Sequence, residues 1–184
     1  MLLFKKSNAV SNLAATRTAA LGLTYYDRAN HPQTTDDPVW ASPTVYRGTV
    51  ASTATSGAIK TSIDEIVTAF EDKFSLTVSE KMAYCQYYKQ SDTEPGIHYD
   101  TQTGFDPVYK PTHVAVLWLT ETENAIQFYR QTGDDTYDPP VESALTENDL
   151  VFFNHENAHR IKPASFGTDK TDSGLMLAVF IKAS

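Results

Sequence analysis

Between residues 62 and 74, Ile63, Ile66, Val67, Phe70 and Phe74 recur at intervals of three and four. That spacing gathers them on one stripe of a helix. Ser62 and Glu65 supply a Ser-x-x-Glu capping box at its start. From residue 82 the pattern changes to short apolar runs at 82–89, 96–101, 112–119, 125–130, 139–144, 149–154, 158–163 and 174–182. Turn chemistry separates them, as in Glu94-Pro95-Gly96, Asp106-Pro107, Thr132-Gly133-Asp134-Asp135, Glu147-Asn148-Asp149 and Gly167-Thr168-Asp169. Eight short strands at this spacing predict an all-β core with a flanking helix. The expected architecture is a barrel or jelly roll whose larger sheet carries the helix outside. An immunoglobulin-like sandwich is the alternative, but it has no particular use for a histidine cluster and accommodates the helix poorly. Residues 7–60 are rich in Ala, Thr and Ser and lack strong periodicity; only 45–50 reads as a strand there. The expectation is one domain over 1–184, with 1–60 as an N-terminal extension of a 61–184 core.

Composition narrows the functions. With 41% hydrophobic and 21% charged residues the chain can build a core, which excludes global disorder. Its net charge of -8 argues against nucleic acid as a partner, because phosphate contacts need clustered Lys and Arg. The charge is uneven. Residues 1–60 hold six basic and three acidic side chains, and 61–184 hold nine and twenty, so the acidic body could take a hard cation or simply be a solvated surface. Cys85 is the single cysteine, which excludes an internal disulfide framework and any multi-cysteine zinc site. Lys5 and Lys6 follow Met1-Leu2-Leu3-Phe4 directly, so no signal-peptide apolar stretch is expected. No apolar run nears membrane-spanning length. The reading is an intracellular protein with no membrane partner.

His98-Tyr99-Asp100 carries the candidate chemistry. On an extended strand, residues two apart face the same way, so His98 and Asp100 project together and Tyr99 projects away. One imidazole nitrogen and one carboxylate oxygen form two corners of a metal site. A further histidine would complete a facial two-histidine, one-carboxylate set, which leaves positions open as iron(II) oxygenases require. Leu150-Val151-Phe152-Phe153 reads as a buried strand leading to His155-Glu156-Asn157-Ala158-His159, so a histidine stands at the start of the next strand.

Several pieces, in their order, resemble the 2-oxoglutarate/iron(II) oxygenases, nearest the prolyl-4-hydroxylase-like branch. They are Tyr88 ten residues before His98-x-Asp100, the strand from His113 to Thr120, the segment from Ala125 to Arg130, and Leu150 to Phe153 leading to His159-x-Ile161-x-Pro163-Ala164. The resemblance covers about residues 82–182 and implies a double-stranded β-helix with metal at its open end. It implies iron(II) on His98, Asp100 and His159, with His155 the competitor for the third position. His31 and His113 have no such setting. Tyr88 matches a tyrosine whose hydroxyl can reach the cosubstrate. Trp118 stands where relatives often have Tyr, which would narrow the pocket and remove a hydroxyl contact to the cosubstrate, and plain core packing is the favoured reading of it. The family binds the far carboxylate of 2-oxoglutarate with Arg or Lys near the last strand. Lys170, eleven residues after His159, is the candidate here, with Arg130 and Lys182 behind it. The sequence departs from the pattern at that point, since Ser173 or Gly174 occupies the usual place.

The implied reaction consumes 2-oxoglutarate and O2, with ascorbate as an accessory reductant, hydroxylates a C–H bond and releases succinate and CO2. The resemblance favours a prolyl residue in a peptide or protein as substrate; a free amino acid or other small molecule is the alternative. The loop 101–112, with Tyr109 and Lys110, is placed to cover the substrate. A reading from another class is a non-catalytic jelly-roll binding module in which the histidines are incidental.

Overall fold

The computed structural model describes residues 2–25, 45–49, 57–88, 96–100, 110–134, 136–162, 166–167, 171 and 174–184. Six strands form the larger sheet: β1 (Leu2–Lys6), β2 (Val45–Thr49), β3 (Val78–Tyr88), β4 (His113–Trp118), β9 (Leu150–Asn154) and β11 (Gly174–Ala183). Their order is β1-β9-β4-β11-β3-β2, antiparallel throughout. A smaller antiparallel sheet, ordered β10-β5-β8, comprises β5 (Asn124–Tyr129), β8 (Val141–Leu145) and β10 (Ala158–Ile161). Two helices, α1 (Leu13–Leu21) and α2 (Ala58–Phe74), accompany these sheets in a jelly roll.

Period-two alternation divides the larger sheet's residues between two cores. Ala83, Cys85 and Tyr87 of β3, Ala115 and Leu117 of β4, Phe152 of β9 and Leu177 and Val179 of β11 pack with Ile63, Ile66 and Phe70 of α2. Their neighbours Tyr84 and Tyr88, Val114 and Val116, Phe153, and Met176 and Ala178 turn the other way, toward Ile126, Phe128, Leu145 and Ile161 of the smaller sheet. The larger sheet is covered on both faces, which is why its strands read as almost unbroken apolar runs. The smaller sheet turns one face toward this inner core. Its other face carries Arg160, Gln127 and Glu142, joined by an Arg160 Nε donor to Gln127 Oε1 at 2.8 Å and a Gln127 Nε2 donor to Glu142 Oε1 at 2.7 Å.

The α2 stripe lies on the larger sheet as its spacing predicts, but the capping box does not form. The helix begins at Ala58, with Gly57 at φ 101° as its N-cap. Ser62 therefore lies inside the helix, buried, and shares a 2.7 Å hydrogen bond with Thr16 of α1. Glu65 instead accepts from the backbone N–H and hydroxyl of Ser11. Ser62 thus ties α2 to α1 and Glu65 ties it to the residue before the α1 cap, because a helix extended by one turn carries both side chains past the orphan N–H groups that a cap satisfies.

The N-terminal segment holds more structure than its composition suggests. β1 forms an edge of the larger sheet against β9, and Lys5 Nζ reaches the buried Asp149 carboxylate at 2.7 Å. Asn12 caps α1 by accepting from the Ala15 N–H at 3.2 Å. The strand expected at 45–50 is β2, which lies beside β3 and sets Arg47 opposite Gln86. Of the Thr132-Gly133-Asp134-Asp135 turn, Thr132 and Gly133 belong to β6 (Gln131–Gly133), which pairs with β7 (Thr136–Tyr137); Asp135 lies outside the described residues. Among the described residues, the strand expected at 96–101 reduces to one bridge between His98 and His159. No helix among the described residues is long and apolar enough to cross a membrane.

Candidate metal centre

The bridge that replaces a full strand is what assembles the site. The His98 N–H donates to the His159 carbonyl at 3.0 Å, and the His159 N–H returns a bond to the His98 carbonyl at 2.9 Å. Such a mutual pair sets two side chains beside each other on one face, and the two imidazole centroids stand 4.4 Å apart. The Asp100 N–H donates to the His155 carbonyl at 3.0 Å, which anchors the next corner.

Each imidazole is oriented through its Nδ1. His98 Nδ1 lies 3.0 Å from the Gly96 carbonyl and His159 Nδ1 2.8 Å from the Asn157 carbonyl. A carbonyl only accepts, so each Nδ1 carries the proton and each Nε2 presents its lone pair, as a metal-binding histidine requires. His159 Nε2 lies 3.2 Å from Asp100 Oδ2, and His98 Nε2 lies 4.0 Å from Asp100 Oδ1. One donor atom from each of the three residues falls within 4.8 Å of the other two, the one such group among the described residues. Burial holds the His159 pKa well below the ordinary range, and the neighbouring His98 lowers it further, so His159 is neutral. Two imidazoles that present Nε2 and one carboxylate fit a first-row divalent ion.

His98, Asp100 and His159 stand in a cleft between the sheets. Val114, Val116 and Ala178 of the larger sheet and Ile126 and Ile161 of the smaller one supply its apolar walls. Tyr88 and Gln86 line the same cleft. Trp118 lies beyond this lining, fully buried, its indole N–H donating to the Thr122 carbonyl at 2.8 Å. Phe166 packs between Tyr88 and Trp118, with centroid distances of 6.4 and 6.5 Å.

The other histidines stand apart. His155 Nδ1 lies 2.9 Å from the Thr112 carbonyl and its ring remains outside the His98–Asp100–His159 group. His113 packs against Phe70 and Phe74 with centroid distances of 4.9 and 5.8 Å. Lys170 and His31 lie outside the described residues, as does most of the 101–112 loop. Lys182 pairs with Glu80 at 2.6 Å on the surface.

No family model and no curated protein matches the sequence. Solved structures do match the fold. A Pseudomonas putida prolyl-4-hydroxylase aligns over 97% of this chain and 91% of its own, with a TM-score of 0.60 and 14% identity. An oxidoreductase of the 2OG-Fe(II) oxygenase family from Burkholderia pseudomallei aligns over 92% and 77%, with a TM-score of 0.53 and 15% identity. OsALKBH1 aligns over 97% of each chain, with a TM-score of 0.55 and 13% identity. The chain thus carries the jelly-roll fold found in the 2OG-Fe(II) oxygenases, with its own His98, Asp100 and His159 meeting inside that fold as a group able to hold a metal ion.

Proposed function

We propose that the protein is an iron(II)- and 2-oxoglutarate-dependent dioxygenase that hydroxylates a C–H bond, with a prolyl residue of a peptide or protein as its substrate. The observation that carries this reading is the convergence of two Nδ1-protonated histidines and one buried carboxylate in an interior cleft. An incidental surface pair would have no reason to bury Asp100 and His159 or to turn both Nε2 atoms inward. The likeness to the prolyl-4-hydroxylase supports the substrate class.

Iron(II) bound there would supply dioxygen activation coupled to oxidative decarboxylation of 2-oxoglutarate, with ascorbate as an accessory reductant. The protein's own share is placement. His98, Asp100 and His159 would hold one face of the ion and leave the opposite face for ligands. The carbonyls of Gly96 and Asn157 would keep both rings turned toward it. The apolar walls would exclude water, so that the cosubstrate is consumed only beside a bound C–H bond. Tyr88 would offer its hydroxyl to the cosubstrate, and Lys170 would meet its far carboxylate. Trp118 would bound the pocket from behind Phe166.

The test begins with anaerobic iron(II) or manganese(II) loading, which should reach one ion per chain. Succinate release from 2-oxoglutarate should then rise with prolyl peptides and stay low with free amino acids. Stimulation by a free amino acid instead would reassign the substrate. Absence of both metal and turnover would leave a jelly-roll binding module.

A further inference from the structure

His155 stays outside the His98–Asp100–His159 group, yet it links that group to the larger sheet. Its carbonyl accepts the Asp100 N–H at 3.0 Å. Its Nδ1 lies 2.9 Å from the Thr112 carbonyl. A carbonyl only accepts, so Nδ1 carries the proton and donates. The His155 N–H reaches the same carbonyl at a longer 3.4 Å, which leaves the imidazole as the closer contact. Thr112 is itself firmly held. Its N–H donates to the Ile181 carbonyl at 2.7 Å. Its hydroxyl donates to that carbonyl at 3.2 Å and accepts the Ala183 N–H at 3.1 Å. The ring therefore fastens the turn between β9 and β10 to β11.

That turn is the frame of the metal centre. The β4–β9 ladder ends at the His113–Asn154 pair, so residues 155–157 leave the sheet where the site begins. Two carbonyls of the turn face the ligands. That of His155 holds the Asp100 N–H, and that of Asn157 orients the His159 ring through Nδ1 at 2.8 Å. Within the turn, the Glu156 N–H donates to Asn154 Oδ1 at 2.9 Å and the Asn157 N–H to the Asn154 carbonyl at 3.0 Å, so these residues move as a unit. The segment bearing His98 and Asp100 has no ladder of its own to resist a shift. Its described pairing is the bridge to His159. Displacing the turn would therefore reach Asp100 and His159 together. Contacts outside the coordination shell tune a metal site in this way, through the orientation of its ligands.

We infer that the His155 imidazole is a positioning residue for the metal centre. By donating from Nδ1 to the Thr112 carbonyl it fixes the turn, and through the turn it sets how Asp100 and His159 meet an ion. The inference rests on metal binding at His98, Asp100 and His159, and gives His155 a role outside the coordination shell. What the role calls for is one N–H donor at the Nδ1 position. An asparagine amide nitrogen is bonded to Cγ, as Nδ1 is, whereas a glutamine amide nitrogen stands where Nε2 does. The two amides therefore separate the hydrogen bond from the bulk of the ring.

The test uses the full chain and cobalt(II), whose visible absorption reports the arrangement of its ligands. Wild type, His155→Ala, His155→Asn and His155→Gln are loaded anaerobically, their spectra are recorded, and release of cobalt(II) to excess EDTA is timed. All four should hold one ion per chain, because every ligand is present. His155→Asn should match wild type in spectrum and release rate. His155→Ala and His155→Gln should show shifted bands and release the ion about threefold to tenfold faster, a smaller change than that for a partner bonded directly to a ligand. A wild-type spectrum and release rate in His155→Ala would overturn the inference. So would restoration by Gln equal to that by Asn, or an Asn variant altered as strongly as Ala. Loss of the ion from His155→Ala would make His155 a ligand and overturn it too. Urea midpoints of the metal-free variants complete the test. Release rates that follow those midpoints, rather than the Nδ1 donor, would make the residue merely structural and sink the inference. A wild-type protein that takes up no cobalt(II) would refute the metal centre itself, a result that no His155 variant can produce.

Discussion

The two faces of the larger sheet are built from the same four central strands and differ in what they tolerate. On the helix side, Ile66, Phe70, Leu117, Phe152 and Leu177 are fully buried and the layer is closed. Titratable groups there are silenced. Burial pushes the Cys85 thiol up to about 12, despite its hydrogen bond with Tyr25, and so keeps it protonated. On the cleft side, the equally apolar Val114, Val116 and Ala178 stand beside Gln86, Asp100 and His159, three polar groups that are buried as well. The contrast separates two uses of burial. One face gains stability from continuous contact; the other gives some of it up to hold donor atoms away from water.

The contrast is broken most completely by removing a cleft donor. His159→Ala should abolish stoichiometric metal uptake, measured as metal content after desalting, while the fold persists. Losing a partner outside the coordination shell costs about 10–100-fold in metal affinity, and losing a ligand should exceed that. His155→Ala should leave uptake unchanged.

Stability should respond in the opposite place. Phe70→Ala removes a fully buried ring on the helix side, and should cost about 3–5 kcal/mol in urea unfolding. Met176→Ala, on the wall of a cleft that already exists, should cost less, near the lower end of the about 2–5 kcal/mol range for such truncations. Equal losses would mean that the two faces are packed alike.

A smaller effect is expected where the cleft meets its aromatic end. A Cβ at Gly174 would stand 2.8 Å from two carbons of the Phe166 ring and 3.0 Å from Trp118. Gly174→Ala should therefore cost about 1–3 kcal/mol by overpacking, and should perturb Trp118 fluorescence as Phe166 shifts.

The mildest probe is pH. Burial lowers the His113 pKa below its ordinary 6.5, and the neighbouring His155 lowers it further. The unfolded chain then takes up the proton first, so this contribution to stability is present above about pH 6.5 and is lost as the pH falls below it. Urea midpoints measured between pH 7.5 and 5 should decline, and His113→Phe should flatten part of that decline.

Period and punctuation made much of the core legible. Ile63, Ile66, Phe70 and Phe74 marked α2, and the apolar runs at 112–119, 149–154 and 174–182 marked three central strands, because each pattern follows from the geometry of its own segment. The segments that escaped were those whose partners are distant. β1 is five residues with two lysines, and becomes a strand because β9 offers it an edge. α1 has a weak apolar stripe and is held by Thr16 against Ser62. Ser62 itself looked like a cap because local spacing cannot show that a helix starts one turn earlier.

The same division runs through the site. The sequence by itself determined that His98 and Asp100 share a face and that a histidine waits beyond the Leu150–Phe153 run, since both follow from spacing along an extended chain. Whether His155 or His159 joined them was decided only in three dimensions. The mutual backbone bonds between His98 and His159 close across sixty residues of intervening chain. They exist because the two sheets bring those strands together, and no periodicity within either segment encodes that meeting. Gln86 was settled in the same way: on β3 it is one polar residue among tyrosines, and only the opposing sheet turns its face into the wall of a cleft.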